Sequence, residues 1–307
     1  MKSGSNLEKV LSAGKFAVTG ELGPPRGGNA SAIAEKAQPL KGMVDSVNIT
    51  DNQTAVVRMA SWAASTLLMK EGLEPNYQMV CRDRNRIAMQ SDILGAYALG
   101  VRNMLCLSGD HQLFGDHPKS KKVFDIDSMQ LISMARKMRD EGKFLNGEDL
   151  SEAPKMFIGA AANPFGEPYE YRVHRLAKKI AAGADFIQTQ CIYNMERFRE
   201  WIKQANDMGL TEKTYILAGV TPMKALGMAR YMQKNVPGMD VPDWVIKRLQ
   251  GVEKKQQASE GIAICCEQIE EFKEMKGIAG VHIMAIEWEH RMPEIVEKAK
   301  LLPRPTL

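Results

Sequence analysis

Eight times along this chain a short, continuous apolar run is followed by a longer stretch with apolar residues at helical spacing. That rhythm constrains the fold more than any other feature. The strand-like runs are Phe16–Leu22, Asp45–Thr50, Tyr77–Arg82, Asn103–Leu107, Met156–Ala162, Phe186–Gln190, Tyr215–Val220 and Val281–Ile286. The helical stretches after them lie near Asn29–Leu40, Ala55–Glu71, Asn85–Leu99, Ile126–Asp140, Tyr169–Ala182, Met195–Met208, Met223–Gln233 and Pro293–Leu301. Two more helices, Pro242–Leu249 and Lys254–Lys276, fit between the seventh and eighth runs, and Gly277 and Gly280 punctuate the return. Continuous apolar runs are what strands buried on both faces look like, so the sheet is parallel and covered by helices. Eight such units favour a closed (β/α)8 TIM barrel over an open doubly wound sheet. No GxGxxG follows an early strand, which leaves a dinucleotide-binding fold without support. With no low-complexity tract and no linker, residues 1–307 read as a single domain.

Composition narrows the function by exclusion. The net charge of +4, from 41 basic and 37 acidic residues, is too mild and too diffuse to argue for nucleic acid. No apolar run approaches the roughly 20 residues that span a bilayer. The five cysteines show no CxxC pair, and their odd number and the lack of a signal peptide predict a reducing, cytoplasmic setting. The five histidines have neither HxH nor HExxH spacing, so a metal-centred mechanism is disfavoured. Twenty scattered methionines suggest adaptable packing.

A barrel of this kind builds its active site from the C-terminal ends of its strands and the loops after them. Those positions are rich in polar residues here. The first strand ends on Glu21, before Gly23-Pro24-Pro25 stops it. The second offers Asn48, Thr50, Asp51 and Asn52, and the third Arg82 and Asp83. The fourth ends Leu107-Ser108-Gly109-Asp110-His111, where Gly109 lets a backbone approach a ligand closely. The fifth ends Ala161-Ala162-Asn163-Pro164, the sixth gives Gln188, Thr189 and Gln190, and the eighth Glu287 and Glu289. Taken singly, each can be a cap or a turn residue: Asp51 and Asp83 stand where helix caps are preferred, and His111 reads as a loop residue. Gln190 can donate and accept at once, as a heterocycle with mixed edges requires.

In order, these pieces resemble the methylenetetrahydrofolate reductase family. The matching segments are Glu21-Leu22-Gly23-Pro24-Pro25-Arg26, Ser46-Val47-Asn48-Ile49-Thr50, Leu107-Ser108-Gly109-Asp110 and Gly159-Ala160-Ala161-Ala162-Asn163-Pro164. Two more are Ala182 through Gln190 and Ala218-Gly219-Val220-Thr221-Pro222-Met223, and the resemblance runs from about residue 14 to 303. It implies a flavin-dependent barrel that reduces 5,10-methylenetetrahydrofolate to 5-methyltetrahydrofolate by hydride transfer from reduced flavin N5. Glu21 would be the general acid that protonates folate N10, and Asp110 would sit by flavin and pterin. Gln190 would hold the folate, with Leu249 and Glu287 on further substrate-binding positions. Asn48, Ser108, Gly109, Asp110, Ala161, Asn163 and Lys179 fall on flavin-contacting positions. The flavin would be FAD first and FMN second, with no metal. Electrons would come from NAD(P)H or from a redox partner subunit, within a homo- or hetero-oligomer.

The chain departs from the family pattern at Ala285-Ile286-Glu287-Trp288, at Ser108 in place of an arginine, at Leu249 in place of an aromatic, and at Arg172 and Arg175. These changes bear on the electron donor and on FAD against FMN, and they fit an anaerobic branch that works beside a second subunit. Two other readings stand beside this one: a flavin-free pterin-binding barrel of methyltransferase type, and a non-catalytic subunit of a larger redox complex.

Overall fold

In the computed structural model, which describes residues 1–307, eight parallel strands close into a barrel in sequence order. They are β1 (Ala17–Leu22), β2 (Ser46–Ile49), β3 (Pro75–Val80), β4 (Asn103–Leu107), β5 (Phe157–Ala162), β6 (Phe186–Cys191), β7 (Tyr215–Val220) and β8 (Ile278–Ile283). Closure is by β8 on β1, with Ala17 opposite Gly280 and Gly20 opposite Ile283. Eleven α-helices accompany them: α1 (Asn6–Ser12), α2 (Ser31–Ala37), α3 (Ser61–Lys70), α4 (Arg86–Ala98), α5 (Ser128–Asp140), α6 (Arg172–Ala182), α7 (Met195–Asp207), α8 (Leu226–Asn235), α9 (Asp243–Gln250), α10 (Gln257–Glu274) and α11 (Met292–Lys298). The (β/α)8 reading of the sequence therefore holds.

Three elements differ from the sequence reading. The N-terminal α1 was not anticipated. Ser5 caps it, accepting the Glu8 amide at 3.1 Å, and Leu7, Val10 and Leu11 close the barrel floor against Ala17, Leu105, Phe157, Phe186 and Leu217. The helix expected over Ala55–Glu71 begins only at Ser61, because Asn52, Thr54 and Ala55 take positive φ (44°, 55° and 58°) and form a separate turn above the mouth. Strand eight lies three residues earlier than expected. Gly280 sits inside it, where a Cβ would come within 2.3 Å of the Ala17 carbonyl oxygen, so only glycine permits the closing contact. Gly277, at φ +94°, makes the turn into the strand.

Most of the hydrophobic core lies between the sheet and the helical ring, where both partners are apolar. Inside the lower barrel Phe157 and Phe186 stack at 5.0 Å, and Gly159 leaves the room that a Cβ, 2.3 Å from the Phe186 ring, would take. No helix is long and apolar enough to cross a membrane.

Candidate active site

Above the apolar floor the barrel interior becomes polar, and at its C-terminal mouth it opens into a cavity of about 620 Å³. This size suits a small-molecule site. Alternation along the strands decides which side chains face inward. Thr19, Asn48, Asn76, Gln188 and His282 form a buried polar layer, and Glu21 and Gln190 stand one inward position higher on β1 and β6.

The layer is cross-linked. Asn76 donates to Asn48 at 2.7 Å, and Asn48 donates to the Gln188 carbonyl oxygen at 2.7 Å. The Gln188 amide nitrogen donates to Thr19 Oγ1 at 3.0 Å. Thr19 Oγ1 lies 3.0 Å from His282 Nδ1, and His282 Nε2 lies 3.8 Å from a carboxylate oxygen of Glu21. A side-chain chain thus crosses the barrel and ends beneath Glu21, whose own side chain is only 10% exposed.

The loops after β2, β3 and β4 are held together by Arg82. Its guanidinium, 3% exposed, donates to the main-chain oxygens of Asp110 and Asn52, both at 3.1 Å, and forks onto Asp83 at 2.7 and 2.8 Å. Burial works to raise the Asp83 carboxyl, but the hydrogen bonds from Arg82 and Asn52 outweigh it and hold it below the usual range. Asp110 accepts the Thr54 amide at 3.2 Å through one carboxylate oxygen. Gly109 stands at φ +88°, with space for a Cβ closed by Val80 at 3.0 Å, so the turn that presents Asp110 needs glycine. Asp51 and Asp83 are not helix caps. Asp51 is buried against Arg84 at 2.6 Å and the Val80 amide at 2.9 Å, and Asn85 caps α4 instead.

On the opposite wall, α6 turns Arg172, Arg175 and Lys179 toward the cavity. Lys179 donates to the Ala161 carbonyl at 2.5 Å, and its pKa is pulled down to about 8, first by burial and then by repulsion from Arg175. Arg172 is lowered by burial and by the same neighbour. Asn163 accepts the Phe165 amide at 2.9 Å, and Ser108 donates to Ser128 at 3.1 Å. The Gln190 carbonyl oxygen accepts the Cys191 amide at 3.2 Å, while its Nε2 makes no hydrogen bond within the protein. Methionines 232, 239 and 284 supply much of the apolar lining, and no Phe, Tyr or Trp lines the cavity.

Of the eleven residues to which the family resemblance gives a catalytic, substrate-binding or cofactor-binding role, nine border this one cavity: Glu21, Asn48, Ser108, Gly109, Asp110, Ala161, Asn163, Lys179 and Gln190. Asn48 does so as part of the floor, with its amide committed to Gln188 and Asn76. Two do not. Leu249 is fully buried in a satellite core with Tyr193, Met223 and Val245, because α9 turns its apolar i, i+4 pair inward toward α8 and α10. Glu287 follows β8 at φ 49°, and its side chain is 71% exposed, 3.9 Å from Arg58. Both assignments are corrected accordingly. Sequence reasoning missed His282 and Thr19. The signal was period two along the strands: Thr19 precedes Glu21 by two, but a strand eight drawn too late moved attention past His282 to Glu287.

A sequence model of the family described as methylenetetrahydrofolate reductase matches residues 6–300. A probable methylenetetrahydrofolate reductase (NADPH) of Caenorhabditis elegans is 23% identical over 252 residues, covering 80% of this chain and 35% of the relative. Methylenetetrahydrofolate reductase 2 of Schizosaccharomyces pombe is 24% identical over 245 residues, covering 74% and 36%. The chain thus spans about a third of the length of these curated relatives. Among solved structures, an uncharacterized protein from Clostridium thermocellum that binds two copies of 5-methyl-5,6,7,8-tetrahydrofolic acid superposes with a TM-score of 0.66 at 15% identity. The match covers 97% of this chain and 99% of that one, and at this identity it shows the fold.

Proposed function

The chain belongs to the methylenetetrahydrofolate reductase family, and we propose that it reduces 5,10-methylenetetrahydrofolate to 5-methyltetrahydrofolate with a flavin bound at the barrel mouth. The observation that carries the reading is the convergence of a carboxylic acid, a second carboxylate and an open amide on one cavity. These are Glu21, Asp110 and Gln190. The donor set also suits a flavin. The Gly109 turn gives close backbone approach, and three cations on α6 have no carboxylate partner. When bound, a reduced flavin supplies the two electrons that the folate carbon accepts.

The protein's own groups do the rest. Ser108, Gly109, Ala161, Asn163 and Lys179 hold the cofactor, with Asn48 fixing the floor beneath it. Gln190 uses its free Nε2 and its carbonyl to orient the pterin, and Asp110 adds negative charge where the ring becomes cationic. Glu21 gives its proton to folate N10 and so opens the five-membered ring. His282 Nε2 stands beneath Glu21, 3.8 Å from a carboxylate oxygen. Electrons arrive from NAD(P)H or from a redox partner subunit. A cavity without an aromatic face to stack a nicotinamide favours the partner. The test is anaerobic mixing of flavin-loaded protein with 5-methyltetrahydrofolate, the reverse reaction. Loss of the oxidised flavin's visible absorbance supports the reading, and an unchanged spectrum with folate bound refutes it.

A further inference from the structure

Resting on the role proposed for Asp110, we propose that Asp83 is a positioning residue: it takes up the charge of buried Arg82 and so leaves the Asp110 carboxylate unpaired and open to the cavity. Arg82 follows β3 by two residues and is pinned at its main chain. Its amide donates to the Ser108 carbonyl at 3.2 Å, and its own carbonyl accepts the Val123 amide at 2.9 Å. Its guanidinium is 3% exposed, and a charge so buried is costly unless a carboxylate answers it. Two of the residues it touches carry one, Asp83 and Asp110. Arg82 grips Asp110 by the main chain alone, from Nη1 to the carbonyl oxygen at 3.1 Å. The charge goes to Asp83, which accepts from Nε at 2.8 Å and Nη2 at 2.7 Å in the forked geometry that suits a guanidinium.

This division has a chemical consequence. The Asp110 carboxylate borders the cavity, makes no ion pair, and accepts only the Thr54 amide at 3.2 Å. No neighbouring cation cancels its negative charge, which faces the space where the folate ring becomes cationic. Arg84, the next cation along the chain, is committed to Asp51 at 2.6 Å and Asp92 at 2.8 Å, so it competes for neither acid. Asn52 supports the arrangement from the loop after β2. Its carbonyl accepts from Nη2 at 3.1 Å, and its side-chain amide donates to Asp83 at 3.2 Å. Without a charge on Asp83, the next carboxylate for the guanidinium is that of Asp110, whose carbonyl Nη1 already holds. A pair formed there would take from the cavity the charge that Asp110 brings to it.

The experiment compares the full wild-type chain with Asp83→Asn and Asp83→Glu. The Asp83 side chain is 35% exposed, so substitution spares the core, and circular dichroism verifies the fold. In crystal structures of the flavin-free proteins, Asp83→Asn should bring an Arg82 nitrogen within about 4 Å of an Asp110 carboxylate oxygen, and wild type and Asp83→Glu should not. In flavin-loaded protein, Asp83→Asn should lower kcat for 5,10-methylenetetrahydrofolate reduction about tenfold to a hundredfold, the scale of one charge-assisted contact, with the folate KM little changed. Asp83→Glu should restore most of kcat. A role in stability alone would lower the melting temperature and leave both readouts at their wild-type values. Arg82 staying clear of the Asp110 carboxylate in Asp83→Asn, or kcat held at the wild-type value, overturns the proposal. Wild-type protein that binds flavin and does not reduce folate fails the functional reading instead, and the flavin-free structures still decide which carboxylate Arg82 takes.

Discussion

Replacing Glu21 by glutamine removes the ionisable carboxyl and keeps the size of the side chain. The side chain makes no hydrogen bond within the protein; the His282 ring stands 3.8 Å from it. The amide has the same size and leaves no donor or acceptor of the polar layer stranded. Its stability cost should therefore stay within about 1 kcal/mol, the centre of the range for single substitutions. The chemical cost is larger. A positioned general acid contributes typically about 10²–10⁴ in rate, or roughly 3–5 kcal/mol of transition-state stabilisation. The assay is anaerobic stopped-flow oxidation of the reduced, flavin-loaded protein by 5,10-methylenetetrahydrofolate, beside thermal unfolding and flavin titration. Glu21→Gln should slow folate reduction at least about a hundredfold, with flavin affinity and melting temperature close to wild type. A variant that keeps more than about a tenth of the wild-type rate would place the acid elsewhere, because that loss lies below the general-acid range. Loss of flavin would make Glu21 part of the cofactor cradle instead.

Three further outcomes follow. Gly109→Ala must place a Cβ 3.0 Å from Val80 at φ +88°, so it should cost about 1–3 kcal/mol in chemical denaturation and weaken flavin binding along with Asp110 presentation. Leu249→Ala empties a fully buried position and should destabilise by about 2–5 kcal/mol while leaving the KM for folate unchanged; a raised KM with full stability would return Leu249 to the site. Lys179 titrates near 8 in the free protein, and a bound anion favours its charged form, so phosphate-bearing flavin should bind fully below about pH 8 and weaken as pH rises through it. Lys179→Met should flatten that profile, and a wild-type affinity constant from pH 7 to about 10 would refute the coupling.

The barrel was legible because its signal is redundant: eight apolar runs, each bounded by helical periodicity, leave few alternatives. The strand-end residues were legible for the same reason, since Glu21, Asp110, Asn163 and Gln190 follow runs whose ends are marked by Gly, Pro or a change of polarity. What failed was phase and depth. Strand eight has no sharp stop, because Met284 still bonds to Val220 at 2.9 Å and Ala285 is buried, so the apolar run outlasts the strand and Glu287 was read as its end. Leu249 was misplaced because an apolar residue on an amphipathic helix looks the same whether it faces a cavity or a neighbouring helix. Which of the two it faces depends on how α8, α9 and α10 pack, and no local pattern encodes that.

The polar layer is the deepest consequence of the strand phase. Thr19, Asn48, Asn76, Gln188 and His282 occupy a barrel level that branched apolar side chains fill in an ordinary TIM barrel. Apolar residues there would stabilise the fold, whereas buried amides gain little net energy and cost about 1–3 kcal/mol for each partner they fail to find. The chain does leave such a partner missing, at the Asn76 carbonyl oxygen. What stands above this layer is Glu21. Gln188 donates to Thr19 Oγ1, which lies 3.0 Å from His282 Nδ1, and His282 Nε2 in turn lies 3.8 Å from the Glu21 carboxylate. The His282 ring beneath Glu21 is thus linked, through Thr19, to the amides of Gln188, Asn48 and Asn76 on β6, β2 and β3. Only a closed sheet brings β2, β3 and β6 within reach of β1 and β8 at one level, which ties the chemistry of the mouth to the closure of the fold.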